Sequence, residues 1–97
     1  MITCTGDRCA LQGPVNMANV ESLLEEGSRQ IAGAQVTVDL AGVTEVDSSA
    51  LSLLLEWQRQ ALRAGRSVRY LNVPANLRSL AALYGVTELL GDASVTG

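Results

Sequence analysis

The run Val36-Thr37-Val38-Asp39-Leu40, followed after a short polar link by Val46-Asp47-Ser48-Ser49-Ala50-Leu51, constrains this chain more than any other feature. The first segment alternates apolar and polar residues and is rich in β-branched side chains, so it reads as a strand. The second opens a long amphipathic stretch with the residue types that favour helix N-termini. Together they predict a strand that delivers a carboxylate and two hydroxyls onto the first turn of a helix. The unpaired N–H groups and partial positive charge at such a terminus favour an anion or a hydrogen-bond acceptor. A serine held there can cap the helix, accept a phosphate, or stand at the centre of a docking surface.

The rest of the chain fits around that junction. Ile2 to Thr5 and Arg8 to Gln12 flank Gly6-Asp7, which suits a two-residue hairpin turn that sets Thr5 opposite Arg8 and Cys4 opposite Cys9. Gly13-Pro14 is expected to end the second strand. Asn16 or Asn19 can cap a first helix with Val20, Leu23, Leu24 and Ile31 at helical spacing and Gly27 and Arg29 in the same frame; Gly33 is expected to stop it. Gln35 to Leu40 forms the third strand. Ser48 or Ser49 is expected to cap a second helix, running to about Ala64 with Leu51, Leu54, Leu55 and Leu62 on its buried side and Gly65 as its stop. Ser67 to Leu71 reads as a fourth strand. Pro74 suits the start of a last helix with Leu77, Leu80, Ala81 and Tyr84 on one face and Gly85 after it. Val86 to Leu90 fits a short edge strand or an apolar cover, and residues 91–97 a frayed tail. Strands alternating with helices behind a hairpin predict a single α/β domain with a mixed, mostly parallel sheet covered by three helices.

Composition narrows the function. With 97 residues there is room for one core, and with aromatics at 3% and no Phe that core is built from Leu, Val and Ala. A net charge of −3 argues against a nucleic-acid partner, which needs a basic face. His is absent, which removes His-based catalysis and most zinc sites. The Gly6-Asp7 turn lacks the glycine spacing and lysine of a phosphate loop, and no other cofactor motif is visible. No apolar run approaches a membrane span and no secretory signal is evident, so direct membrane insertion is not expected and a cytoplasmic location is. In a reducing compartment Cys4 and Cys9 are expected to be free, with a cross-strand disulfide geometrically open if the hairpin register is right.

Asp39-Leu40, Val43 and Val46-Asp47-Ser48-Ser49-Ala50-Leu51, in this order of elements, resemble a STAS domain, the fold of anti-anti-sigma factors and of the cytoplasmic domains of sulfate transporters. The likeness runs from the Gly6-Asp7 hairpin to Leu90. Within the family, Leu53-Leu54-Leu55-Glu56-Trp57, Asn72-Val73-Pro74 and Leu83-Tyr84-Gly85-Val86 are similar to the small STAS subunit of the phospholipid ABC transporter that maintains outer-membrane lipid asymmetry in Gram-negative bacteria. That resemblance implies a non-catalytic accessory subunit, peripheral to the inner membrane, which binds the transporter's ATPase and, through it, the permease. The alternative it implies is an anti-anti-sigma factor, with Ser48 as phosphoacceptor and an anti-sigma factor or serine kinase as partner. Ala50 stands where the anti-anti-sigma pattern usually has glycine, and Ser52 where it has another glycine or small residue.

The candidate partner-binding residues are therefore Asp47, Ser48 and Ser49, each of which can equally serve the helix terminus alone. Ser48 lies in or beside an interface by resemblance. Asp47 can cap the helix or brace the loop, or form part of the recognised surface, with the structural role read first, and a catalytic dyad with Asp39 is not expected. Trp57, Arg59, Arg63 and Tyr84 are weaker candidates. Trp57 is equally an interface anchor or core. Arg59, Arg63 and Arg66 are either a solvated face or a contact strip for an acidic partner. Tyr84 is expected to close the last helix against the sheet, with exposure at a partner surface as the second reading.

Overall fold

The computed structural model describes residues 1–30 and 34–86. The expectations placed on Ile31, Gly33 and residues 87–97 lie outside the described residues. The elements run β1 (Ile2–Thr5), β2 (Arg8–Val15), α1 (Val20–Gln30), β3 (Gln35–Val46), α2 (Ser48–Arg63), β4 (Ser67–Leu71) and α3 (Ala75–Leu83). The four strands form one sheet in the order β1-β2-β3-β4. β1 pairs antiparallel with β2, and β2–β3 and β3–β4 pair parallel. The mixed, mostly parallel sheet behind an N-terminal hairpin is the architecture the sequence predicts.

The hairpin register also follows the sequence, with Thr5 opposite Arg8 and Cys4 opposite Cys9. Gly6 takes the turn with φ 63°, a left-handed conformation that side chains disfavour. The cysteines are not free: Cys4 and Cys9 are joined by a disulfide. The expectation of free thiols rested on compartment alone. The register instead brings the two Cα atoms to 4.0 Å, with both side chains on one face of the ribbon.

Two strands are longer than expected. β2 continues through Gly13-Pro14 to Val15, and β3 continues from Leu40 to Val46. Gly13 and Pro14 do not stop β2, because its further residues pair with the extension of β3, Gly13 with Val43 and Val15 with Val46. The β3 ending expected at Leu40 reflects a break in alternation. Between Ala10↔Asp39 and Gln12↔Gly42, and again between Gly13↔Val43 and Val15↔Val46, β3 advances one residue more than β2. Each extra residue is a bulge that changes which face the next side chains meet. The buried series Val36, Val38, Leu40 thus resumes at Val43 rather than Ala41 or Gly42.

All three helices share one face of the sheet. The core is one cluster in which Cys9, Leu11, Val36, Val38, Leu40, Val68 and Tyr70 of the strands meet Leu23, Leu51, Leu53, Leu54, Trp57, Leu77 and Ala81 of the helices. The opposite face carries Thr5, Arg8, Gln12, Thr37, Asp39 and Arg69 and is open and polar. Tyr70 is buried and donates its hydroxyl to the Leu54 carbonyl at 2.8 Å, which ties β4 to α2. Burial holds that phenol far above its ordinary pKa, so it stays neutral.

The rotational setting of α2 differs from the sequence reading. Leu51 and Leu54 are buried as expected, but Leu55 and Leu62 are exposed, and Leu53, Trp57 and Ala61 take the inward positions. The reason lies on α1. Gly27 is buried directly against the indole, and a Cβ built on it would stand 2.6 Å from Trp57 Nε1 and closer still to Cζ2. A side chain at 27 would push α2 away, so the glycine opens a slot that the large ring fills. Trp57 is therefore core, and its candidacy as a surface anchor is corrected. Gly27→Ala is expected to destabilise the fold by about 1–3 kcal/mol, the usual cost of overpacking. Thermal unfolding would show a midpoint lower by several degrees, and an unchanged midpoint would remove this contact from the account.

Candidate functional site

The site is built where β3 hands over to α2. β2 and β3 end side by side, Val15 paired with Val46, and the Asp47 amide donates to the Val15 carbonyl at 3.3 Å. Asp47 is the N-cap of α2, with extended backbone. Its Oδ1 accepts the Ser49 amide at 2.9 Å and the Ser49 hydroxyl, and its Oδ2 accepts the Met17 amide at 3.2 Å. One carboxylate thus closes the first turn of α2 and holds the loop that leads into α1. The expectation that Ser48 or Ser49 caps the helix is corrected. Asp47 occupies that position because the carboxylate accepts several N–H and O–H groups at once, which a hydroxyl cannot match.

That loop is itself a small network. Asn16 Oδ1 accepts the Ala18 amide, Asn19 Oδ1 accepts the Asn16 amide, and Asn19 Nδ2 donates to the Pro14 carbonyl. Both asparagines therefore act at the start of α1, and Met17 is left 79% exposed beside the cap.

With Asp47 and Ser49 forming the cap, the Ser48 hydroxyl is left out of it. Ser48 is exposed in the first turn of α2, on the lip of a cavity of about 430 Å³. Ser52, Leu55 and the buried Leu51 of α2 line it together with Met17, Tyr84 and Val86. Tyr84 is 58% exposed, so it does not close α3 against the sheet as first expected. The α3 end turns so that the Tyr84 amide bonds to the Leu80 carbonyl and the Val86 amide to the Ala81 carbonyl, which directs the ring to the groove. Of the sequence candidates, Ser48, Ser49 and Tyr84 line this cavity and Asp47 adjoins it, together with Met17, Ser52 and Leu55, which the sequence did not put forward. Methionine in an Asn-rich turn ahead of a helix is the one local sign that could have marked Met17.

Arg59 and Arg63 lie along the outer side of α2. Both reach Glu56, at 3.9 and 3.4 Å, with the arginine side chains largely exposed. Exposed pairs of this kind contribute little stability. Asp39 lies on the open sheet face, bonded by Asn72 Nδ2 at 3.0 Å and the Ala41 amide at 2.9 Å, with Arg8 at 3.9 Å. Those hydrogen bonds, Asn72 first, hold its carboxyl below the ordinary range. The strand from Leu40 to Val46 separates it from Asp47, so the two carboxylates do not form a pair. Among the described residues no cluster of His, Cys, Asp and Glu could hold a metal, and no helix is long and apolar enough to cross a membrane.

One family model, described as "Mlab, STAS domain", matches the chain over residues 5–91. The chain belongs to the STAS domain family. No curated protein sequence matches it. Among solved structures, this STAS domain is similar to the anti-sigma factor antagonist SpoIIAA in its unphosphorylated form, at 18% identity and TM-score 0.74, over 92% of this chain and 83% of that one. It is similar to a sulfate transporter family protein from Wolinella succinogenes at 18% identity and TM-score 0.69, over 89% of this chain and 71% of that one. SLC26A9 matches at 18% identity and TM-score 0.74, over 90% of this chain but 16% of its own length. These likenesses establish the SpoIIAA-like fold.

Asp47 also carries a pH signature. The Ser49 hydroxyl first, then the Ser49 and Met17 amides, hold its carboxyl below the ordinary value of 3.8. A carboxyl depressed in the folded state contributes stability above the unfolded pKa and loses it as pH falls through the folded one. Asp47→Ala is therefore expected to lower the unfolding midpoint at neutral pH. The gap to the parent chain should narrow as the buffer is taken below the ordinary carboxylate range. A gap that stays constant to strongly acid pH would show that the ionised form is not what the cap uses.

Proposed function

We propose that this STAS domain is a non-catalytic accessory subunit that binds the ATPase of a phospholipid ABC transporter and supports its assembly and activity in outer-membrane lipid asymmetry. In this reading it stays in the cytoplasm, peripheral to the inner membrane through the ATPase and its permease. The observation that carries the reading is the Ser48 hydroxyl, exposed on the first turn of α2, outside the cap and on the lip of an apolar groove. A cap serine would be consumed by the helix; this one is presented. The description of the matching family model and the Leu53 to Trp57 and Leu83 to Val86 segments support the transporter assignment. Docking influences an ATPase only through different affinities for its states, so the expected effect is a shift toward the assembled form.

A second reading is an anti-anti-sigma switch with Ser48 as phosphoacceptor. The exposed hydroxyl and the likeness to SpoIIAA favour it. The Asp47 carboxylate repels a phosphate on Ser48 while the N-terminus of α2 favours it, so this pair of effects does not separate the readings. Against it, Ala50 is buried at 2% exposure where that group usually has glycine.

Mass spectrometry of proteins that co-purify with the chain, gently extracted from its own host, separates the two. The expected result is an ABC ATPase with its permease, and recovery of an anti-sigma factor or serine kinase would overturn the first reading. Ser48→Arg should fold with an unchanged midpoint and bind the ATPase about tenfold or more weakly, a loss of ~1.4 kcal/mol. Full binding by the folded variant would remove Ser48 from the interface.

A further inference from the structure

We propose that the outward side of α2 is the seat of an acidic amphipathic helix of a partner protein, laid along Ser52, Leu55, Arg59 and Leu62. This rests on the docking reading above and names the chemistry of the partner segment. The first observation is the pattern of exposure. Ser48, Ser52, Leu55, Arg59 and Leu62 are all exposed and fall at alternating steps of four and three residues. They form one stripe along the outer side of α2, along which a partner helix can lie at the same spacing. At ~1.5 Å per residue the seam runs roughly 20 Å.

The second observation is what the seam contains. The inward side of α2 already fills the core with Leu51, Leu54, Trp57 and Ala61. Leu55, at 38% exposure, and Leu62, at 76%, are left outside. Single exposed leucines are common, but these lie one heptad apart on one line, and Leu55 also forms a wall of the groove under Ser48. The apolar groove and the seam are therefore continuous.

The third observation is charge. The chain carries −3 overall, yet the outer side of α2 runs the other way. Among the described residues Arg59 and Arg63 share the carboxylate of Glu56, two positive charges against one negative. Both ion pairs are exposed and cheap to exchange. A partner helix with Leu or similar residues at its own 3–4 spacing, flanked by Glu or Asp, meets the apolar and the basic parts together. A second copy of this chain fits less well. Its acidic helix α1 offers Glu21 and Glu25, but the apolar side of that helix is spent on its own core, Leu23 among it.

The test uses a fluorescein-labelled synthetic peptide of roughly 20 residues, long enough to hold a helix, with Leu at a and d and Glu at e and g. A sister peptide carries Lys in place of Glu. Anisotropy titrations against the full chain should show saturable binding of the Glu peptide, about tenfold or more tighter than the Lys peptide and weakened by salt. In nitrogen-15 spectra the shifts should fall on Ser52, Leu55, Arg59 and Leu62. Leu62→Asp should weaken binding about tenfold, and the double variant Arg59→Glu, Arg63→Glu should reverse the preference between peptides. These positions are exposed, so unfolding midpoints should not change. Equal binding of both peptides, absence of saturable binding, shifts on the open sheet face, or concentration-dependent self-association of the chain would each overturn the proposal. The ATPase experiment keeps the two readings apart. If Ser48→Arg releases the ATPase while Leu62→Asp and Arg59→Glu retain it, the docking reading stands and the helix seat falls. If the parent chain recovers no ATPase while the peptide results hold, the transporter reading falls and the helix seat stands.

Discussion

The Asp47 carboxylate is the contact on which the candidate site depends. It holds the first turn of α2 through Ser49 and the entry to α1 through the Met17 amide, while its own amide continues the pairing of β2 with β3. At the carboxylate the nearby Ser49 meets Met17, which is thirty residues away in sequence. A carboxylate can do this because it accepts several hydrogen bonds and gains from the positive end of the helix. The consequence is a division of labour between neighbours. Asp47 and Ser49 look inward to the cap, and Ser48 is turned to the surface with nothing structural to do.

A second contact decides what surrounds that serine. Trp57 is seated on Gly27, and this fixes the rotation of α2 about its axis. With the indole inward, Leu51, Leu54 and Ala61 follow it into the core at helical spacing. The same rotation forces Ser52, Leu55, Arg59 and Leu62 outward. Cap and slot act at different turns of one helix, yet together they produce one continuous outer surface. Its N-terminal part is hydroxylic and apolar; its C-terminal part is apolar and basic.

The bulges in β3 complete the arrangement. β4 ends its pairing at Leu71 opposite Asp39, whereas β3 runs on to Val46 with β2 alone beside it. The motif is thereby carried beyond the end of β4, and the turn after α3 brings Tyr84 and Val86 across from it. The open polar face of the sheet, with its Asp39, Asn72 and Arg8 contacts, is a separate region and contributes nothing to the groove.

Much of this was written in the order of residues. Local signals suffice for the hairpin at Gly6-Asp7, the strand at Val36 to Leu40, the helix after Asp47 and the strand at Ser67 to Leu71, because each depends on backbone propensity and on near neighbours. The alternation of strand and helix then leaves few topologies, and the motif places Ser48 at a helix start. Tertiary structure decided which of Asp47, Ser48 and Ser49 caps, since the Met17 amide holds the second oxygen of the same carboxylate from across the chain. It decided which leucines of α2 are buried, since a glycine thirty residues away makes room for Trp57. The disulfide between Cys4 and Cys9 likewise follows from register and facing rather than from cysteine count. Periodicity can show that a helix has an apolar side; with leucines nearly all round, only the neighbour it packs against selects which side that is.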